Sequence, residues 1–134
     1  MSIRAWTFGP GDGVPPPVAP FAHATAAGQT LYVTGQMPTG LNGALVAGAV
    51  AEQTDQVMRN LARVLELVGG SLRDVVAVRA YLTAWEDYAA FNAAYEPWFP
   101  DRLPSRTCTG TSGLAAGACV EIDVVAWRDV GWPA

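Results

Sequence analysis

The stretch AEQTDQVMRNLARVLELVGG constrains this chain more than any other. Val57, Leu61, Val64, Leu65 and Val68 recur at helical spacing, whereas Arg59, Arg63 and Glu66 fall elsewhere. That pattern predicts an amphipathic helix with one apolar stripe, which must be buried against another layer. Gly69-Gly70 supplies its stop. The next segment is β-branched: Ser71–Asp74 leads into VVAVRAYL, and near the end of the chain ACVEIDVVAW alternates. In the latter Val120, Ile122 and Val124 face one side, and Glu121, Asp123 and Val125 the other. A long helix between strands of this kind belongs on one face of a sheet.

The remaining elements are read in the same way. Phe21–Ala26 and Thr30–Gln36 flank a Gly28-Gln29 turn and predict a hairpin. A glycine-rich loop, TGLNGALVAG, precedes the long helix. Thr83-x-x-Glu86 is a capping-box pattern opening a second helix through DYAAFNAAYEPWF, with Tyr88, Phe91, Tyr95 and Trp98 as an aromatic stripe. Pro97 and Pro100 end it. The order is hairpin, helix, strand, helix, strand, strand. It predicts an α+β fold, one domain over residues 1–134, with a mixed β-sheet and two helices packed on one face. Gly9 to Pro20 holds five prolines and three glycines and is read as an irregular connector. Its glycines resemble a phosphate loop only loosely, because the prolines forbid the helix that would present amides to a phosphate.

Composition narrows the chemistry. All eight basic residues are arginines, so lysine Schiff bases, pyridoxal-phosphate lysines and P-loop lysines are excluded. One histidine, His23, cannot build a multi-histidine zinc site, and Cys108 and Cys119 stand too far apart for a Cys-x-x-Cys pair. The expectation is no metal and no cofactor. The net charge of −4, without a basic cluster, disfavours nucleic-acid binding. No apolar run reaches transmembrane length, and the N-terminus lacks a signal-peptide core, so no membrane partner is expected and the cytoplasm is the default compartment. The two cysteines are then read as reduced thiols. Apolar content of 51% exceeds what a chain of this size needs and hints at subunit contacts.

PSRTCTG, residues Pro104 to Gly110, is where chemistry concentrates. Arg106 and Cys108 share one face of a strand by alternation. A guanidinium in a half-buried sheet offers a planar fork for a carboxylate. Glu121 stands near it if the two last strands pair, which leaves a structural Arg106–Glu121 salt bridge as the competing account. Cys108 is read as a small buried thiol rather than a nucleophile. Asn92, at the edge of the aromatic stripe, needs a partner in backbone or ligand. His23 is read as a surface or hairpin residue.

Taken in order, PVAPFAHAT, GQTLYVTGQMP, EQTDQVMRNLARVLELVGGSLRDVV, FNAAYEPWF, LPSRTC and CVEIDVVA resemble the RidA/YjgF reactive-intermediate deaminase family over Pro15 to Arg128. Pro-Ser-Arg, followed fifteen residues after the arginine by the acid of Val-Glu-Ile, is its most specific signature. The resemblance implies a chorismate-mutase-like fold and a homotrimer with active sites between subunits. It implies hydrolytic deamination of 2-enamino or 2-imino acids, of the 2-aminoacrylate type, to 2-keto acids and ammonia, without metal or cofactor. Arg106 would grip the substrate carboxylate and Glu121 would activate water. Backbone groups at Gly35 and Cys108, with the Asn92 side chain, would complete the pocket. Phe21 stands where many members have tyrosine, and Thr34 where serine is common, which puts the substrate in question. Two alternatives stay open. One is a deaminase of a larger unsaturated amino acid, resembling aminomuconate deaminases; the other is a trimer that binds small acids without turnover. A ribonuclease role finds little support in an acidic, lysine-free chain with one histidine.

Overall fold

A computed structural model describes residues 3–133. Eight regular elements appear in it: β1 (Ile3–Trp6), β2 (Ala24–Ala27), β3 (Thr30–Gln36), α1 (Val50–Leu67), β4 (Val75–Leu82), α2 (Tyr88–Tyr95), β5 (Ser105–Gly110) and β6 (Val120–Trp127). The strands form one mixed six-stranded sheet in the order β1-β2-β3-β6-β4-β5. All neighbours are antiparallel except β4 and β5, which are parallel because α2 carries the chain back between them.

The α1 stripe does what its spacing demands. Val57, Leu61, Val64 and Leu65 are fully buried, together with Met58, against β6 and β3 residues such as Leu31, Ile122 and Val124. Gly69 then turns the chain at φ +86°, a conformation glycine adopts without a Cβ penalty. At the other end the Ala49 amide donates to Glu52 Oε1 (2.8 Å), closing the first turn. Val120, Ile122 and Val124 of β6 are buried beneath the helices, whereas Glu121, Asp123 and Val125 lie on the helix-free face, as the alternation predicts.

Several expectations are corrected. The hairpin is real, but its first arm starts at Ala24, leaving Phe21 in the preceding loop. β1, four residues long, pairs with β2 and is too short to announce itself by pattern. The Thr83 capping box does not form: Thr83 continues the β4 ladder, its amide donating to Cys119 O (3.3 Å), and the helix enters through a 3-10 turn at Trp85–Asp87. Most consequentially, β5 and β6 are not partners. β4 lies between them, pairing with both.

His23 is a further correction. It is only 2% exposed, and both ring nitrogens are engaged. Nδ1 accepts from the Phe8 amide (3.1 Å), so Nε2 carries the proton and donates to Pro15 O (2.9 Å). The Phe8 and Phe21 rings flank it. His23 therefore ties the segment after β1 and the proline-rich connector onto β2. The connector is anchored a second time where Val14 is fully buried and Arg63 Nε donates to Asp12 O (2.8 Å).

Candidate active site

β5 is an edge strand, and alternation along it aims Arg106 and Cys108 at the helix side. Their register partners on β4 are Val78 and Ala80, both buried core residues. α2 runs past this edge, so Tyr88, Asn92 and Tyr95, one helical turn apart in succession, meet the arginine. Arg106 Nη2 donates to Asn92 Oδ1 at 2.7 Å and to Tyr88 Oη at 3.2 Å. Its guanidinium carbon lies 4.8 Å from the centroid of the Tyr95 ring and 5.1 Å from that of Phe91, a cation–π bed that holds the charge without neutralising it. Burial pushes the Tyr95 phenol up to about 12, against a smaller lowering by Arg106, so it stays protonated and offers no counter-ion. Among the described residues Arg106 meets no carboxylate within ion-pair distance. A recess of about 350 Å³, lined by Asn92, Tyr95, Glu96, Pro104 and Arg106 among others, opens beside it. Burial also pushes the Cys108 thiol up, with Arg106 pulling the other way, which fits an unreactive thiol.

Glu121 sits elsewhere. Its register partner on β4 is Tyr81, and both point to the helix-free face. The sheet therefore separates Glu121 from Arg106: they lie on opposite faces, with β4 between their strands. Neighbouring strands are about 4.8 Å apart, so roughly 10 Å of lateral offset adds to the thickness of the sheet. The salt bridge that sequence left open is not formed, and the physical reason is this topology.

The surroundings of Glu121 are built by a bulge. Val33 pairs with Val124 and Gln36 with Ile122, so Thr34 and Gly35 together oppose Asp123. The Thr34 amide is held by His23 O (2.9 Å). A Cβ on Gly35 would lie 3.0 Å from Glu121 Cδ and closer still to Oε2, so the carboxylate occupies space that only glycine leaves. Burial raises the Glu121 pKa above the ordinary carboxylate value, and the neighbouring Asp123 charge adds to the rise. Arg106 exerts no opposing pull, in keeping with its place across the sheet. Asp123 itself accepts from Arg79 Nε (2.8 Å) and Tyr81 Oη (3.3 Å).

The predicted site residues thus form two groups. Arg106, Asn92 and Cys108 come together on the helix side of β5; Thr34, Gly35 and Glu121 come together on the open face. Phe21 is 39% exposed beside His23, near the second group's bulge. Sequence reasoning missed Tyr88 as a partner of Arg106; its place one helical turn before Asn92 was the available signal. A larger cavity of about 700 Å³, lined by Trp98, Phe99, Arg73 and Arg102 among others, contains none of these residues. Its charges are already engaged, Arg73 with Asp101 (3.0 Å) and Arg102 with the Arg73 and Val75 carbonyls. Among the described residues no helix is long and apolar enough to cross a membrane.

Comparison with known proteins places this arrangement. The family model described as endoribonuclease L-PSP matches residues 13–128. A 3-aminoacrylate deaminase, RutC, of Acinetobacter baylyi is 38% identical over 116 residues, 86% of this chain and 92% of the relative. A RutC family protein of Pyrococcus horikoshii is 34% identical over 88% of this chain and 94% of its own length. Among solved structures, RidA from an Antarctic Psychrobacter superposes with a TM-score of 0.87 at 28% identity, covering 93% of this chain and all of that one. The YjgF product of E. coli gives 0.82 at 26% identity, over 87% of this chain and 94% of its own. By sequence and by fold, the chain belongs to the endoribonuclease L-PSP family, the group that holds RidA and YjgF.

Proposed function

We propose that this protein hydrolyses small enamino or imino acids to oxo acids and ammonia, at sites formed between the subunits of a homotrimer. The observation that carries the reading is Arg106: a guanidinium held by Asn92 and aromatic faces, with no carboxylate partner among the described residues. An unneutralised arginine in a fixed pose is suited to an anionic ligand. The name of the Acinetobacter relative supports a carboxylate-bearing enamine as that ligand.

The chemistry needs little else. In a 2-imino acid the C=N carbon is already electrophilic. Arg106 fixes the carboxylate and so orients that carbon. Glu121 accepts a proton from water as the water oxygen bonds to the carbon, and a proton then passes to nitrogen. Collapse of the carbinolamine forms C=O and expels ammonia, so that imine plus water balances oxo acid plus ammonia. A carboxylate whose pKa is raised by burial is the stronger base for this step. Because Arg106 and Glu121 lie on opposite faces of one sheet, a single chain presents only half of this machinery at each place. An inter-subunit site, pairing the Arg106 of one copy with the Glu121 of another, is the arrangement that unites them. The helix-free face supports association: Ile3, Tyr32 and Trp127 are 73%, 53% and 44% exposed on or beside it.

The larger-substrate alternative keeps the same residues and draws on the aromatic Trp85, Tyr88 and Phe21. Nuclease chemistry is the weaker reading, since His23, the sole histidine, is buried with both nitrogens bonded. The test is ammonia release from enzymatically generated 2-aminoacrylate and 3-aminoacrylate, for wild type and Arg106→Ala. Acceleration by wild type alone is expected for at least one of them; equal rates with both proteins overturn the reading. A preference for bulkier imino acids in the same assay would select the larger-substrate alternative.

A further inference from the structure

Tyr88 is the residue beside Arg106 whose hydrogen-bonding capacity is left half used. Its oxygen accepts from Arg106 Nη2 at 3.2 Å, and its own hydrogen has no acceptor among the described residues. A phenol carries one donor besides its acceptor lone pairs. A group that accepts from the arginine can therefore donate to whatever the arginine binds, and that donation suits only an acceptor such as a carboxylate oxygen.

The ring is fixed in this pose from two directions. Trp85 stacks on Tyr88 with centroids 4.6 Å apart and planes 18° from parallel. Trp85 in turn leans on the end of β5, where a Cβ on Gly110 would meet its Cε3 at 3.9 Å. The Arg106 guanidinium carbon is 5.7 Å from the Tyr88 centroid. The aromatic pair thus spans the stretch from Gly110 to Arg106, which contains Cys108. Trp85 remains 53% exposed, so the pair lines an open approach rather than a sealed core.

The Arg106 hydrogens point the same way. Nη2 has two hydrogens and two acceptors, Asn92 at 2.7 Å and Tyr88 at 3.2 Å. A two-point carboxylate grip uses Nη2 in either common fork, end-on with Nη1 or side-on with Nε. The longer bond, to Tyr88, is the one that can yield. A carboxylate arriving there takes the Nη2 hydrogen and sits beside the phenol, which then turns its own hydrogen to the same anion.

We propose that Tyr88 is a second carboxylate-binding residue, exchanging its bond from Arg106 for a bond to the substrate, with Trp85 locking its ring. The proposal rests on the reading of Arg106 as the carboxylate anchor. It also supplies, from α2, a hydroxyl near a site in which Phe21 offers none.

The experiment is binding of 2-oxobutyrate to wild type, Tyr88→Phe and Arg106→Ala, with steady-state kinetics on the better of the two enamine substrates. Phenylalanine keeps the ring, the stack and the cation–π contact, so only the hydroxyl is lost. Tyr88→Phe is expected to weaken 2-oxobutyrate by roughly ten- to a hundredfold and to raise KM comparably with kcat little changed, the signature of a lost bond to a charged group. The amide of the same acid, an uncharged acceptor, should lose less affinity than the acid on Tyr88→Phe substitution. Wild-type affinity in Tyr88→Phe, while Arg106→Ala loses binding, overturns the role of Tyr88 and leaves the site standing. Wild-type affinity in both variants removes the site itself.

Discussion

At the scale of single residues, the chemistry is set by what each side chain is denied. Among the described residues Arg106 has no counter-ion, and burial denies Glu121 part of its solvation. The second deprivation has a thermodynamic sign. Burial lifts the Glu121 pKa in the folded state above its unfolded value, so the folded protein holds that proton more tightly. The ionised carboxylate therefore costs stability above the folded pKa, and the cost disappears as pH falls below the unfolded one. Glu121→Gln should raise Tm at pH 7–8, with the gain vanishing near pH 4, while lowering kcat by about 10²–10⁴ and sparing keto-acid binding. Thermal melts across pH, beside turnover, check both halves. Turnover in wild type should fall on the acid side as Glu121 is protonated, at a pH above the ordinary carboxylate range. Sequence reached both of these residues by alternation and by family resemblance. It passed over Tyr88, because propensity and pattern give the same reading for an aromatic residue packed in the core and one whose hydroxyl touches an arginine, and only its place one helical turn before Asn92 sets it apart. His23 escaped for a similar reason: its two bonds are to main-chain groups of Phe8 and Pro15, which no side-chain pattern records.

At the scale of elements, the bulge in β3 bears most on the proposed chemistry. Thr34 and Gly35 oppose one residue of β6, and the missing Gly35 side chain is the room in which the Glu121 carboxylate lies. Gly35→Ala should fold, displace that carboxylate and cut kcat by at least tenfold, with 2-oxobutyrate binding at Arg106 retained. Turnover equal to wild type would show that the carboxylate's position is not critical. The long α1 helix and the alternating β6 were legible because each carries many residues of one period. β1, at four residues, was not, and Thr83 carried a capping signature that the β4 ladder overrode by claiming its amide. The second helix shows the limit most clearly. Its aromatic stripe was read correctly as packing, with Phe91 and Tyr95 buried, yet the same stripe is what cradles the arginine.

At the scale of the molecule, strand order decides what one chain can do. Neither that order nor the pairing of the last two strands was legible in advance, since a crossover through α2 and a direct hairpin differ in no local pattern. With β4 inserted between β5 and β6, Arg106 and Glu121 are presented to different sides. If sites form between copies, two inactive variants should repair each other. Mixing Arg106→Ala with Glu121→Gln under conditions that exchange subunits should restore a fraction of wild-type turnover, whereas either variant alone stays inactive. No recovery after verified exchange, by mass analysis of the mixed assemblies, would place both groups of one site in a single chain. The sheet as a divider also has a genetic reading. With sites formed between copies, a chain lacking only one of the two residues would spoil one site per copy, so that coexpressed with wild type it would lower activity in proportion to its share and behave as recessive. A chain lacking both would spoil a site on each side of itself, and activity would then fall as the square of the wild-type share, making the double lesion the more dominant allele.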